Sequence, residues 1–237
     1  MKILVSTYQS AEENLAAEEF LLSQTADDFI LLYINDKTVI LGNNQITENE
    51  VNAAYCRTNN IKITRRISGG GAVFHDLGNI NYSFIGNKNS KTLALNNEFL
   101  KPIINVLHSL NIPVEQGKRN DLWLNGLKIG GTASHFSRNR YLFHGTLLYD
   151  SNLDTLQKAL SANNIDETLR GTPSVHSAVG NIKEHCKDDF NTFFANFSAK
   201  IIEDLNADKY YFSTGETLII EQLAKEKYRA DTWNFRK

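Results

Sequence analysis

Three consecutive glycines, Gly69-Gly70-Gly71, stand between two short runs of strand-forming residues, and no other stretch restricts the fold as strongly. Residues without a Cβ lose the most backbone freedom on folding, so an ordered triplet must expose amides or let another group come close. Before it, Ile61-Lys-Ile-Thr-Arg-Arg66 alternates apolar and polar; after it come Ala72 to His75 and Ile80 to Ile85. The pattern predicts a strand, a tight turn and two more strands. Successive amides in such a turn form an anion nest, and Arg66 supplies fixed charge and a planar fork for phosphate oxygens. The plainer reading is a turn flanked by two surface arginines. Neither a Walker A loop nor a Rossmann fingerprint is present, since no G-x-x-x-x-G-K-[ST] occurs and Phe74 stands where the third glycine would be.

The rest of the chain is predicted around this turn. Ser10-Ala-Glu-Glu13 reads as a capping box opening a helix through about Gln24, and Thr47-Glu-Asn-Glu50 as a second one, its helix ending at Asn59-Asn60. Phe29 to Ile34 and Thr38 to Leu41 are β-rich runs, with Asn35-Asp36-Lys37 suited to a hairpin turn between them. Helical spacing runs from Thr92 to Leu110, with Pro102 at a first turn or a kink. Asn125-Gly126 is a strong hairpin signal, and Leu127 to Phe136 and Tyr141 to Tyr149 extend the sheet. Helices are predicted at Leu153 to Ser161, Asp188 to Asn206 and Thr217 to Tyr228, with a Gly171-Thr-Pro-Ser loop between the first two. Without repeats or Pro-, Gly- or Ser-rich linkers, the expectation is one α+β domain over residues 1–237, with helices packed on a mixed, mainly antiparallel sheet.

Composition narrows the function classes. A chain of 237 residues buries roughly 70–75% of its unfolded surface and needs no disulfide or metal staple. Twenty-five Lys and Arg against 27 Asp and Glu leave a net charge of -2, with no global footprint for nucleic acid or an acidic membrane. Cys56 and Cys186 fit neither a C-x-x-C nor a Cys/His metal spacing and read as reduced thiols. No secretory leader or transmembrane run is recognisable, and the expected location is the cytoplasm.

Two further clusters carry chemistry. Lys128 follows the Asn125-Gly126 turn on a strand whose alternation puts Lys128, Gly130, Thr132 and Ser134 on one face, with Ile129, Gly131 and Ala133 on the other. Small residues around a lysine leave room for a ligand, and its ammonium could hold a carboxylate and a phosphate together; a solvated edge lysine is the alternative. In Phe143-His144-Gly145-Thr146, His144 is either a base or a structural histidine.

Arg65 to Asn81, reading Arg-Arg-x-Ser-Gly-Gly-Gly-Ala-Val-Phe-His-Asp-Leu-Gly-Asn-x-Asn, resembles the central motif of the lipoate-protein ligase family within the biotin/lipoate ligase fold. Asn120-Asp121, Lys128 to Ala133 and His144 to Leu148 resemble its next blocks, in order. Pro173 to Ser177 and Trp233-Asn-Phe235 resemble its later loop and the end of its catalytic domain. The resemblance implies that lipoate attacks the α-phosphate of ATP to give lipoyl-AMP, and that a lysine of an acceptor lipoyl domain then takes the lipoyl group. It assigns nucleotide binding to Arg66, Ser68, Gly70, Gly71, Ala72, Val73, Phe74 and Lys128. Lys128, Gly131, Thr132, His144 and Gly145 go to the substrate, and Lys128 and Asp121 to catalysis. Mg²⁺ is expected on the ATP phosphates, with Asp121 as its helper or that of the incoming lysine.

The implied partners are apo lipoyl domains of 2-oxoacid dehydrogenase E2 subunits and the glycine-cleavage H protein. Many bacterial family members continue past the Trp-Asn-Phe block into a small accessory domain; this chain stops at Lys237, so three expectations stand side by side: it adenylates unaided, a separate accessory-domain protein supplies the missing part, or it only transfers from preformed lipoyl-AMP. Three alternatives stand beside the ligase. One is a lipoyl or octanoyl transferase of the same fold, working from lipoyl-AMP or through a cysteine thioester, for which His185 and Lys187 flank Cys186. The others are a non-catalytic ligand-binding paralogue and a biotin ligase.

Overall fold

The computed structural model describes residues 1–88, 98–162, 165, 168 and 170–236. Its strands are β1 (Lys2–Val5), β2 (Phe29–Ile34), β3 (Thr38–Leu41), β4 (Lys62–Arg65), β5 (Val73–His75), β6 (Asn79–Asn87), β7 (Glu115–Gln116), β8 (Leu122–Leu124), β9 (Leu127–Gly130), β10 (Thr132–Ser137), β11 (Arg140–Leu148) and β12 (Asp208–Lys209). The helices are α1 (Ala11–Gln24), α2 (Thr47–Glu50), α3 (Ala53–Thr58), α4 (Lys101–Ser109), α5 (Leu153–Ala159), α6 (Phe190–Asp204), α7 (Thr214–Leu223) and α8 (Asp231–Asn234). A six-stranded sheet has the order β10-β11-β6-β2-β1-β12, and two three-stranded sheets have the orders β4-β3-β5 and β7-β8-β9. Six strand pairs are antiparallel and three, β1–β2, β1–β12 and β3–β4, are parallel, as the α+β reading expects.

β2 shows why the large sheet lies at the centre. Its sequence, Phe-Ile-Leu-Leu-Tyr-Ile, is continuously apolar, the composition of a strand covered on both faces. Ile30 and Leu32 pack with Ile103, Val106, Phe193 and Phe197 of α4 and α6, while Phe29, Leu31 and Tyr33 pack with Leu15, Phe20 and Leu21 of α1 and Ile220 of α7. On β6, Tyr82 and Phe84 join the α4/α6 core, and the intervening Asn81 and Ser83 are buried polar residues.

Several local expectations are corrected. Asn35-Asp36-Lys37 is not a hairpin turn: β2 belongs to the large sheet and β3 to a small one, so the segment crosses between sheets, and Asn35 is fully buried. The Ser10 box does not close, because the Ser10 hydroxyl donates to Glu12 at 2.5 Å instead of capping α1. The Thr47 box yields only the single turn α2, and Asn52 caps a separate α3 through the Tyr55 amide. Pro102 sits in the first turn of α4; the predicted helical positions 92–97 lie outside the described residues. Leu127 to Phe136 is not one strand: it breaks at Gly131, and its halves join different sheets. By contrast, Asn125 (φ 50°) and Gly126 (φ 81°) make the predicted tight β8–β9 turn, using the left-handed region that this dipeptide tolerates. No helix among the described residues is long and apolar enough to cross a membrane.

Candidate active site

The glycine turn is assembled from its arginines inward. Neither Arg65 nor Arg66 is a surface residue; they are 0% and 5% exposed. Arg65 donates to the carbonyls of Gly42 (3.0 Å), Gln45 (2.7 Å) and Asn234 (2.8 Å), and the Trp233 indole returns a bond to its carbonyl at 2.7 Å. Arg66 braces the turn itself, donating to the carbonyls of Gly69 (2.6 Å), Gly71 (2.8 Å) and Ile40 (3.2 Å) and to the Ser68 hydroxyl (2.9 Å). Burial brings its guanidinium pKa down to about 10, against the opposing pull of Glu18 and Tyr33. Gly70 has φ +87°, a conformation that favours glycine, and a Cβ on Gly71 would lie 2.9 Å from the Ser174 hydroxyl. Gly69 meets nothing within 4 Å, so the triplet's three members are not equally constrained.

Ser174 closes the turn from the far side. Its hydroxyl accepts from the Ala72 amide at 2.9 Å and from Gln45 at 3.0 Å, and donates to Glu50. Sequence reasoning passed over Gln45 and Glu50; nothing local marks a contact spanning more than a hundred residues.

Two cavities meet here. One, of about 320 Å³, is lined by the buried Leu15, Tyr33, Ile40, Arg66, His75, Asn81 and His144 at one end and, at the other, by Asp121, itself buried, beside the part-exposed Lys128, Gly131, Thr132, Ala133 and Ser174. The other, of about 700 Å³, runs along Ala72, Val73, Phe74, Leu148, α5 and residues 174–179. Lys128, Gly131, Ala72 and Val73 line both. Gly70, Gly71 and Gly145 also reach the smaller cavity, whereas Ser68 reaches neither and touches the site through Arg66 and His144.

Lys128 is held at the junction by its backbone, whose amide donates to the Ala178 carbonyl at 2.9 Å and whose carbonyl accepts from Gly180 at 3.1 Å. Its ammonium lies 3.8 Å from Asp121, and Arg119 lies 3.7 Å from the same carboxylate. Burial lowers the lysine pKa and Arg119 adds to that, while the attraction of Asp121 opposes it. Asp121 is 3% exposed and offers one carboxylate, the donor set of a magnesium–nucleotide site in which phosphates and water complete the shell. No cluster of three or more His, Cys, Asp or Glu able to hold a metal occurs among the described residues.

At the buried end, Ser68, His144 and Glu18 form a chain. His144 Nδ1 lies 3.0 Å from Glu18 Oε1, and Nε2 lies 2.6 Å from the Ser68 hydroxyl. The carboxylate can only accept, so Nδ1 carries a proton and, in the neutral ring, Nε2 accepts from Ser68. Burial opposes ionisation of Glu18, but His144, Ser83 and Tyr33 outweigh it and hold the carboxyl below its ordinary range. Glu18 was missed from sequence although a signal exists. It sits on α1 three residues from both Leu15 and Leu21, on the apolar stripe, where a glutamate needs a buried partner.

The two thiols stand apart. Cys56 is buried in α3, where burial pushes its pKa up to about 11, and neither it nor Cys186 lines either cavity.

A mixed-sheet scaffold thus carries two cavities that meet at a lysine, and comparison with known proteins gives its class. Residues 10–205 match the family model described as lipoyl protein ligase A/B catalytic domain. The chain is 37% identical over 226 residues to lipoate–protein ligase 1 of Staphylococcus aureus, covering 94% of this chain and 69% of that protein. Its fold is that of a bi-partite lipoate protein ligase of Thermoplasma acidophilum (TM-score 0.83, 23% identity, 99% and 95% covered) and of a lipoate-protein ligase A bound with ATP (0.82, 24%, 99% and 98%). The chain belongs to the lipoyl protein ligase A/B catalytic-domain family.

Proposed function

We propose that this protein is an ATP-dependent lipoate–protein ligase. The observation that carries the proposal is Lys128, a partly buried cation on the shared wall of two cavities. A carboxylate is a poor acyl donor until it acquires a good leaving group, and forming an acyl phosphate bond brings two anions together. A preplaced cation lowers that barrier most where the two approach. The narrower cavity, with its apolar walls, suits the lipoyl tail, whose burial is worth about 0.8 kcal/mol per methylene. The larger one, along Ala72, Val73 and Phe74, suits the nucleotide.

In the first step a lipoate carboxylate oxygen forms a bond to the α-phosphorus, and the bond to the departing pyrophosphate breaks. Lys128 touches both reactants and offsets the charge they share. In the second, the neutral amine of an acceptor lysine bonds to the acyl carbon, AMP leaves with the bonding pair, and the amine loses a proton. Arg66 and Ser174 act by holding the glycine turn in shape, Ser68 by orienting His144. Gly131, Thr132, His144 and Gly145 shape the acyl cavity. Mg²⁺, held by Asp121 with the nucleotide phosphates, would offset phosphate charge.

The acceptors we propose are lipoyl domains of 2-oxoacid dehydrogenase E2 subunits and the glycine-cleavage H protein. The Thermoplasma neighbour, a bi-partite ligase studied with its E2 lipoyl domain, supports that reading. Incubation with ATP, Mg²⁺, lipoate and an apo lipoyl domain should release pyrophosphate and add one lipoyl group, read by mass spectrometry. Repetition with synthetic lipoyl-AMP isolates the second step. Transfer from neither donor overturns the proposal; transfer from lipoyl-AMP alone confines the chain to the second step.

A further inference from the structure

A third cavity, a groove of about 350 Å³, adjoins the smaller one and is lined by residues 115–119, Asp121 and Trp123. Arg119 and Asp121 line both. Neither reaches the larger cavity, so the groove opens from the mouth of the acyl cavity and not from the space assigned to the nucleoside. The turn that frames it is closed on itself. The Gly117 amide donates to the Asp121 carbonyl at 2.8 Å, and the amide of Asn120 (φ 56°) donates to the Gly117 carbonyl at 3.2 Å. A Cβ on Gly117 would stand 2.2 Å from the Asp121 carboxylate and 2.5 Å from the Trp123 indole nitrogen, so the glycine is what lets both side chains form the groove wall.

Arg119 is under-used by the protein itself. Among the described residues it bonds the Ser177 hydroxyl at 3.3 Å and lies 3.7 Å from Asp121, whereas a guanidinium carries five N–H donors. Lys118 is exposed on the same wall. With Lys128 at the mouth, these cations outnumber the carboxylates of Glu115 and Asp121, a balance that favours an anion over the ammonium of an acceptor lysine.

We propose that this groove is the pyrophosphate subsite, and that Arg119, with Lys118 beside it, is a further catalytic residue that binds the leaving group of the first step. The proposal rests on the ligase reading above. In phosphoryl chemistry of this kind the attacking and leaving oxygens stand roughly in line through the phosphorus. With the acid in the smaller cavity, its carboxylate reaches the α-phosphate from inside, so the bond to the bridging oxygen breaks on the outer side, where the groove opens. That oxygen keeps the bonding pair. The charge leaves Lys128 with the pyrophosphate, and the planar fork of Arg119 is placed to take up two of its oxygens.

The test reads both directions of the first step, with inorganic pyrophosphate as the probe. Added pyrophosphate should inhibit adenylation by the wild-type protein and return bound lipoyl-AMP to ATP. In Arg119→Leu its inhibition constant should rise about tenfold and kcat for adenylation should fall by about the same factor, with the KM for lipoate unchanged. Arg119→Lys, which keeps a cation without the fork, should lie between. Transfer from synthetic lipoyl-AMP to an apo lipoyl domain involves no pyrophosphate and separates this role from one in acceptor binding. An unchanged inhibition constant in a folded Arg119→Leu overturns the proposal. So does a loss confined to the transfer step, which gives the groove to the acceptor. Lys118→Ala, at an exposed position, should raise the same constant a few-fold and decides the matter where Arg119→Leu fails to fold. Wild-type protein that forms no pyrophosphate from ATP and lipoate overturns the adenylation half of the ligase reading, and this inference with it.

Discussion

The two ends of the smaller cavity are built on opposite principles. At the inner end, Arg66, Ser68, His144 and Glu18 are linked by contacts of 2.9, 2.6 and 3.0 Å, with every member at least nine-tenths buried. At the outer end, Asp121 is flanked by Lys128 and Arg119 at 3.8 and 3.7 Å, beyond hydrogen-bond distance, and both cations are part-exposed. A saturated buried network is rigid because any displacement strands a polar group. A loose ion pair at a cavity mouth can exchange partners when an anion arrives. The inner end should therefore govern shape and stability, the outer end rate.

The sharpest way to break this contrast is Lys128→Ala. It should cut pyrophosphate release by about 10²–10³-fold, with a melting temperature close to wild type; an equal loss of stability would erase the distinction. Glu18→Ala should do the reverse, lowering unfolding free energy by about 3 kcal/mol in urea titrations because His144, Tyr33 and Ser83 lose a buried acceptor. His75 makes the inner end sensitive to acid. Its folded pKa of about 3 lies below the ordinary value of 6.5, so below that value the unfolded chain takes up a proton that the folded chain refuses. Stability should fall with pH between those two values by about 1.4 kcal/mol per unit, a slope absent from His75→Leu.

Asp121→Asn probes the outer end more gently. The carboxylate raises the Lys128 pKa against burial, so its removal should move the alkaline fall of the adenylation profile to lower pH. An unshifted profile would detach Lys128 from the titrating step. Ser174→Ala, which frees the Ala72 amide and leaves Glu50 without its hydroxyl, should have the smallest effect. We expect about 1 kcal/mol of stability lost, with a few-fold rise in the KM for ATP.

What could be read from sequence follows how local the physics is. The continuous apolar run of β2 and the Asn125-Gly126 turn express backbone and burial preferences carried by adjacent residues, and both are found where expected. Asn35 misled because its turn propensity was outweighed by buried bonds to Asn14 and His75, which lie 21 and 40 positions away. The motif blocks located Lys128, Asp121 and His144, but not the state in which each is held. Arg66 has the charge expected of it, yet the glycine turn's own carbonyls take up its donors. Glu50 and Ser174 were illegible as a pair because only the tertiary fold brings α2 to residue 174.

The knot around Arg65 also sets a timetable. The glycine turn occupies residues 69–71, but the strand before it is anchored by the carbonyl and side chain of Asn234 and the indole of Trp233. A chain growing from its N-terminus exposes the turn long before these anchors exist. Until they emerge, Arg65 can bond to the Gly42 and Gln45 carbonyls and the Thr47 hydroxyl but not to Asn234, and the strand before the turn lacks half of its anchors. The pocket is therefore among the last features to mature during synthesis, so a nascent chain should be unable to capture a nucleotide before residue 234 has cleared the ribosome.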